Sequence, residues 1–216
     1  MLNVPGTIGA VSALPVQALL FDLGNVLIDI DFMRAIHRWA QYSSLSIEAL
    51  RSVFQQDLAY QQHETGEISS KAYFDHLRAS LKLEASDQQI AAGWNAILGN
   101  EISSNVEAIR KANTPFPCYV FTNSNPVHQM SWQTRFAEML THFERVFVSS
   151  DIGLRKPHRV AFEFVSREMA VPEGAILFFD DLPENVNGAL AAGFQAVHVR
   201  SPADVQNALR DLGCVL

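Results

Sequence analysis

The sequence predicts a doubly wound α/β fold whose parallel sheet is interrupted after its first strand by a small helical cap. Three observations predict it. Five short runs, residues 16–22, 118–123, 145–150, 175–181 and 195–200, are apolar, β-branched or aromatic, and several are too continuously apolar for a sheet with one wet face. Helical patterns separate the last four runs, and alternating strands and helices build a sheet covered on both sides. The gap after the first run is far longer than the others, and residues 32 to about 100 carry helical patterns and no strand pattern.

The first run, "VQALLFD", ends on Asp22 and is followed by Gly24 and Asn25, a turn. Four helical patterns fill the gap: "FMRAIHRWAQYS", "SIEALRSVFQQDLAYQQH", "SKAYFDHLRASLKL" and "SDQQIAAGWNAILG". Asp31, Ser46 and Ser86 stand where N-caps belong. Trp39, Phe54 and Trp94 are expected in the core of this insert. Its joins, near 31–32 and 99–100, are expected hinges. Beyond it, "VHQMSWQTRFAEMLTHF" and "PHRVAFEFVSREMA" read as helices, and "PENVNGALAAG" closes at Gly193, the expected C-cap.

The 216 residues are enough for one α/β domain with an insertion, and 48% hydrophobic residues suit a large core. A formal charge of −7 argues against a nucleic-acid partner. No basic run points to a membrane surface, and no stretch is long and apolar enough to span a bilayer. Residues 1–15 contain Pro5, Gly6, Gly9 and Pro15 but no Lys or Arg, and read as a leader rather than a signal peptide. Cys118 and Cys214 are too few for a disulfide framework or a zinc site, so a cytoplasmic location is expected. The expected organisation is a leader at 1–15, a core at 16–31 and 101–216, and a cap at 32–100. Oligomeric state is not legible.

Four motifs fall at the carboxyl ends of strands, the edge where open α/β sheets bind ligands. They are Asp22; Thr122 with Asn123; Lys156 in "GLRKP"; and Asp180 with Asp181. Singly, each has a bland reading as a turn former, cap or solvated charge. Together they place three carboxylates at one spot, where they repel unless a cation sits among them. Oxygen ligands without His or Cys favour Mg²⁺ over zinc. With a lysine and small donors nearby, the set reads as metal-assisted chemistry on a phosphate.

These motifs, written here "FDLGNV", "FTNSN", "GLRKP" and "FFDD" with "HETGEIS" in the insert, resemble the haloacid dehalogenase superfamily of phosphohydrolases, with its Rossmann-like core and helical cap. The resemblance covers almost the whole chain beyond the leader and is nearest to the bacterial α-D-glucose-1-phosphate phosphatase branch. It implies Asp22 as a nucleophile that forms an aspartyl-phosphate. It implies Mg²⁺ held by Asp22, the Gly24 carbonyl, Asp181 and Asp180, the last binding or supporting. Thr122 and the Asn123 amide would hold phosphoryl oxygens, Lys156 would offset charge on nucleophile and phosphate, and Asn185 would order the metal loop. The implied substrate is a small phosphate ester, a sugar phosphate such as glucose 1-phosphate.

Gly24 departs from the pattern. Most phosphatases of this superfamily carry an Asp there, which protonates the leaving oxygen and then activates water. His63 and Glu64, in "HETGE", are candidate cap contacts that turn toward the site; the bland reading is that this segment merely joins two helices. Gly24→Asp is expected to restore an acid, unless Gly24 adopts a backbone that only glycine tolerates. The same glycine raises a second reading, a 2-haloacid dehalogenase, which the Asp180–Asp181 pair lowers because dehalogenation needs no metal. A third reading, a ligand-binding homologue without turnover, conflicts with the retained Asp22, Lys156 and Asp pair.

Overall fold

The computed structural model describes residues 14–112 and 116–214, so most of the expected leader lies outside the described residues. In chain order the strands are β1 Ala18–Phe21, β2 Ile28–Ile30, β3 Leu98–Glu101, β4 Cys118–Thr122, β5 Arg145–Val148, β6 Ile176–Asp180 and β7 Gln195–His198. The five expected strands form one parallel sheet in the order β5-β4-β1-β6-β7. Every residue of β1 is fully buried, which is why its sequence is unbroken rather than alternating. Leu19 and Phe21 pack into one apolar layer, where Phe21 stacks on Phe179 at 4.6 Å. Ala18 and Leu20 pack into the other, with Phe121, Phe162 and Phe178.

The insert after β1 carries α1 Phe32–Ala40, α2 Ile47–Val53, α3 Leu58–Glu64, α4 Ser70–Leu81 and α5 Asp87–Asn95. Asp31, Ser46 and Ser86 cap α1, α2 and α5 as expected, Ser86 in a reciprocal capping box with Gln89. Trp39 and Trp94 are fully buried and stacked at 5.6 Å, with Phe54 against both. This aromatic centre is continuous with the apolar layer on one face of the sheet.

The rest of the core adds α6 Ser103–Ala112, α7 Pro126–Arg135, α8 Ala137–Leu140, α9 Ser149–Ile152, α10 Arg159–Met169, α11 Pro183–Ala191 and α12 Pro202–Asp211. The C-cap of α11 is Ala192, and Gly193 follows it at φ 97°. Among the described residues no helix is long and apolar enough to cross a membrane.

Three expectations need correction. The pattern at 46–63 is two helices, because Phe54 turns extended to reach the two tryptophans and Asp57 caps a new helix. The pattern at 127–143 is likewise broken, at Phe136. The segment read as free of strands contains β3, which pairs antiparallel with β2. Asp31 N–H donates to Ile97 and Ile102 N–H to Leu27, so the two chain crossings are zipped together. The expected hinge positions thus lie in or beside this two-stranded ribbon.

Candidate active site

Because β4 and β6 flank β1, their carboxyl ends bring Thr122, Asp22 and Asp180 side by side. The loop after β5 delivers Lys156 between them. Its Nζ donates to Asp22 Oδ1 at 2.8 Å and to Asp180 Oδ2 at 2.7 Å, with the lysine only 1% exposed. A buried lysine is costly unless paired. Here burial pulls its pKa down, but Asp180 and Asp22 outweigh that and hold it above the ordinary value. The Asn123 side chain sets the loop from the other side: it donates to the Lys156 carbonyl at 3.0 Å and accepts from the Lys156 N–H at 2.9 Å.

Asp180 is the more heavily engaged of the acidic pair. Besides Lys156 it accepts from Asn185 Nδ2 at 3.0 and 3.1 Å and from the Leu182 N–H at 2.9 Å. Asp181 is half-buried and accepts from Asn25 Nδ2 at 2.9 Å. Oxygens of Asp22, Asp180 and Asp181 lie within 4.8 Å of one another. Burial raises the Asp22 carboxyl most, and Asp180 and Asp181 raise it further against the opposing pull of Lys156. Burial also raises Asp181. Three crowded carboxylates served by one lysine form a donor set suited to a hard divalent cation.

Gly24 lies outside the left-handed region; Asn25, at φ 52°, occupies it instead. A Cβ on Gly24 would stand 3.2 Å from Ile30 Cγ1, a side chain that needs to give by only a few tenths of an ångström. Gly24 therefore does not hold a backbone conformation that only glycine tolerates, and Gly24→Asp depends on Ile30 giving way beside Asp22 Oδ2, 3.7 Å from the new Cβ.

Above these groups is a cavity of about 390 Å³ lined by Asp22, Gly24, Thr122, Asn123, Lys156, Asp181 and Asn185 from the core, and by Phe32, Gln56, Tyr60 and Glu64 from the insert. Of the two candidates in "HETGE", Glu64 lines it and His63 does not. Neighbours on a helix point about 100° apart, so the pair cannot share a face. His63 Nε2 meets Ser70 Oγ at 3.1 Å, and its ring stacks on Tyr73 at 4.5 Å. Burial lowers its pKa from 6.5 to about 4. Below pH 6.5 the unfolded chain takes up a proton that the folded chain refuses until about pH 4. The contribution of His63 is thus full above pH 6.5 and is lost as pH falls through that window. His63→Gln should narrow its stability deficit against the parent by about 2–3 kcal/mol between pH 7 and pH 4. Urea unfolding at the two pH values reads this; an unchanged gap would mean that His63 titrates normally.

Several lining residues carried no recognised sequence signal. Tyr60 lies one helical turn before Glu64, so the i, i+4 spacing offered a signal for it. Arg155 stands next to Lys156 in "GLRKP". His128 and Trp132 lie on α7, part of an expected helix whose inward face the sequence left unassigned.

A parallel sheet with a helical insert after its first strand, and an aspartate–lysine pair beside an acidic triangle at the strand ends, defines a hydrolase of the haloacid dehalogenase type. The family model for haloacid dehalogenase-like hydrolases matches residues 16–193, and the chain belongs to that family. It is similar to D-ribitol-5-phosphate phosphatase of Bacteroides thetaiotaomicron, 20% identical over 195 residues covering 88% of this chain and 94% of the relative. It is also similar to glyceraldehyde 3-phosphate phosphatase of Pyrococcus furiosus, 26% identical over 196 residues covering 84% and 80%. Among solved structures it resembles a haloacid dehalogenase family enzyme of Bacteroides thetaiotaomicron, a variant in complex with magnesium and inorganic phosphate. The TM-score is 0.75 and the identity 25%, over 86% of this chain and 94% of that one.

Proposed function

We propose that this chain is a Mg²⁺-dependent phosphatase of small sugar phosphates, with a catalytic core at 16–31 and 101–216 and a cap at 32–100. The observation that carries the reading is Asp22 at the floor of the cavity, 2.8 Å from Lys156 Nζ and beside Asp181. Phosphatase relatives and a magnesium- and phosphate-bound structural relative support it.

In this reading an Asp22 oxygen attacks phosphorus, the ester P–O bond breaks, and the leaving oxygen departs and takes a proton. Water then attacks the aspartyl-phosphate, releasing phosphate and regenerating Asp22. Asp22, Asp181 and the Gly24 carbonyl would hold Mg²⁺, with Asp180 completing the site or supporting it. The ion would supply positive charge where an anionic nucleophile meets an anionic phosphate. Thr122 and the main-chain N–H of Asn123 would hold phosphoryl oxygens, since the Asn123 side chain is committed to the Lys156 loop. Lys156 screens the repulsion, and Asn185 and Asn25 orient the two aspartates of the pair.

Gly24 shapes the substrate preference. A positioned acid contributes on the order of 10²–10⁴-fold. Without one at position 24, phosphorylation of Asp22 should fall steeply as the leaving group becomes less acidic. Sugar 1-phosphates, whose anomeric hydroxyl is more acidic than a primary alcohol, should outrun sugar 6-phosphates in that step. The test is the rate of aspartyl-phosphate formation across esters of graded leaving-group acidity. A flat series, with phosphorylation rate-limiting, would mean that another residue serves as the acid. The dehalogenase reading, favoured by Gly24 alone, is checked alongside: phosphate release with and without Mg²⁺, against halide release from chloroacetate.

A further inference from the structure

The cavity contains a second charged pair that the chemistry above does not use. Arg155 Nε and Nη2 lie 3.2 and 3.0 Å from the same oxygen, Oε2, of Glu64. The pair is enclosed, with side-chain exposures of 16% and 5%. It joins core to cap, because Arg155 follows β5 and Glu64 ends α3.

The placement of Glu64 is built into the fold. Ser149 Oγ donates to the Glu64 carbonyl at 2.6 Å. Two residues later Gly66 adopts φ 72° against the Ser150 carbonyl, where a Cβ would stand 2.9 Å from that oxygen. The "HETGE" segment is therefore a docking element that pins one carboxylate into the cavity. Burial raises the Glu64 carboxyl, opposed by Arg155 and the Tyr60 hydroxyl.

An arginine fork in a buried site is the usual receptor for a carboxylate or phosphate. Here Glu64 already fills it. Lys156, the other cationic side chain lining the described cavity, is shared between Asp22 and Asp180. His128 also lines the cavity, but its Nε2 faces the Trp94 carbonyl at 3.2 Å, and burial holds its pKa down at about 3. The described lining thus has no uncommitted cation, and it carries the buried Glu64 together with the solvent-exposed Glu184 at its rim. A second negative charge on the substrate would meet like charges in a partly desolvated space. A hydroxyl group would not, and it can donate to Glu64 Oε1, which takes neither Arg155 bond, alongside the Tyr60 hydroxyl that also bonds this carboxylate.

Resting on the phosphatase reading, we propose that Glu64 is a specificity-determining residue. By occupying Arg155 it confines the leaving group to neutral, hydroxyl-rich alcohols and rejects esters that carry a further carboxylate or phosphate.

The test compares matched esters by kcat/KM in the presence of Mg²⁺: glycerol 3-phosphate against 3-phosphoglycerate, and fructose 6-phosphate against fructose 1,6-bisphosphate. The parent protein should favour the neutral member of each pair by tenfold or more. Glu64→Gln releases Arg155 and should narrow that preference at least tenfold, chiefly through KM for the charged ester. Arg155→Gln leaves Glu64 unopposed and, assayed at alkaline pH so that the carboxyl that burial raises stays ionised, should widen it. Opposite shifts are a signature that general damage to the cavity would not give, and the widening alone carries the test should Glu64→Gln fail to fold. Equal efficiency on both members, or shifts of the same sign, would overturn the proposal. Hydrolysis of p-nitrophenyl phosphate separates the two readings: its absence overturns the phosphatase itself, whereas its presence with no charge discrimination overturns the role of Glu64 alone.

Discussion

Asp22→Asn should abolish turnover, by roughly four orders of magnitude or more, while leaving the fold intact. The amide is nearly isosteric with the carboxylate but cannot attack phosphorus at a useful rate. The effect on stability should be small and favourable in the absence of metal. Burial and the neighbouring Asp180 and Asp181 raise the Asp22 pKa in the folded state, so ionising it costs stability as pH rises above the ordinary carboxylate range. Removing that charge removes the cost. The variant should therefore gain on the parent between pH 4 and pH 8 in chelator, and lose that advantage when Mg²⁺ is added, because the ion stabilises only a site it can bind. Phosphate release, circular dichroism and thermal unfolding test these points together. Substantial Mg²⁺-dependent turnover in a folded Asp22→Asn protein would remove Asp22 from the role of nucleophile.

The parts of this architecture legible in the sequence are those that strong local physics dictates. Strands buried on both faces must be continuously apolar, so the inner strands β1, β4 and β6 announce themselves, while the edge strands β5 and β7, only partly buried, show through short runs rich in valine and aromatic residues. Their carboxyl ends then locate Asp22, Thr122 and Asp180 without a structure. The β2–β3 ribbon was not legible, because its three- and four-residue strands pair Ile28 with Glu101 across the whole insert. Its stability comes from that long-range partner rather than from its own pattern. The break between α2 and α3 has the same origin. Residues 46–63 keep a helical period, yet Phe54 leaves the helix to join Trp39 and Trp94.

Within the site, the sequence supplied the groups but not their division of labour. Asp180 and Asp181 are adjacent, yet one is wholly buried under Lys156 and Asn185 while the other faces the cavity and Asn25. His63 and Glu64 are adjacent too, and only the helix phase separates the stacked histidine from the cavity carboxylate. Asn25 was invisible as a site residue. Its left-handed backbone, which asparagine tolerates, lets one side chain accept from the Ile30 N–H and donate to Asp181.

Lys156→Met should damage stability and activity together, and the two losses should respond differently to metal. The substitution preserves the length of a side chain that is 1% exposed but deletes the charge between Asp22 and Asp180. Breaking a buried pair by removing one partner typically costs about 3–5 kcal/mol, because the remaining charge stays desolvated. Asp180 keeps its bonds from Asn185 and the Leu182 N–H, so Asp22 should bear most of the penalty. The deficit should shrink as pH falls, since protonating the stranded carboxylates removes the repulsion. Mg²⁺ should recover part of it at pH 8, because a cation among the three carboxylates substitutes for some of the missing charge. Turnover should stay depressed by at least about 10²-fold at saturating Mg²⁺, since the ion alone then screens the approach of phosphate and the lysine's charge beside the Asp22 oxygen is still missing. Adding Asp180→Asn to Lys156→Met tests the contribution of carboxylate repulsion to the loss: the double variant should regain part of the stability without regaining rate. If Lys156→Met unfolds at the same urea concentration as the parent at pH 8 in chelator, the lysine does not neutralise this buried pair. The screening role given to it would then fail as well.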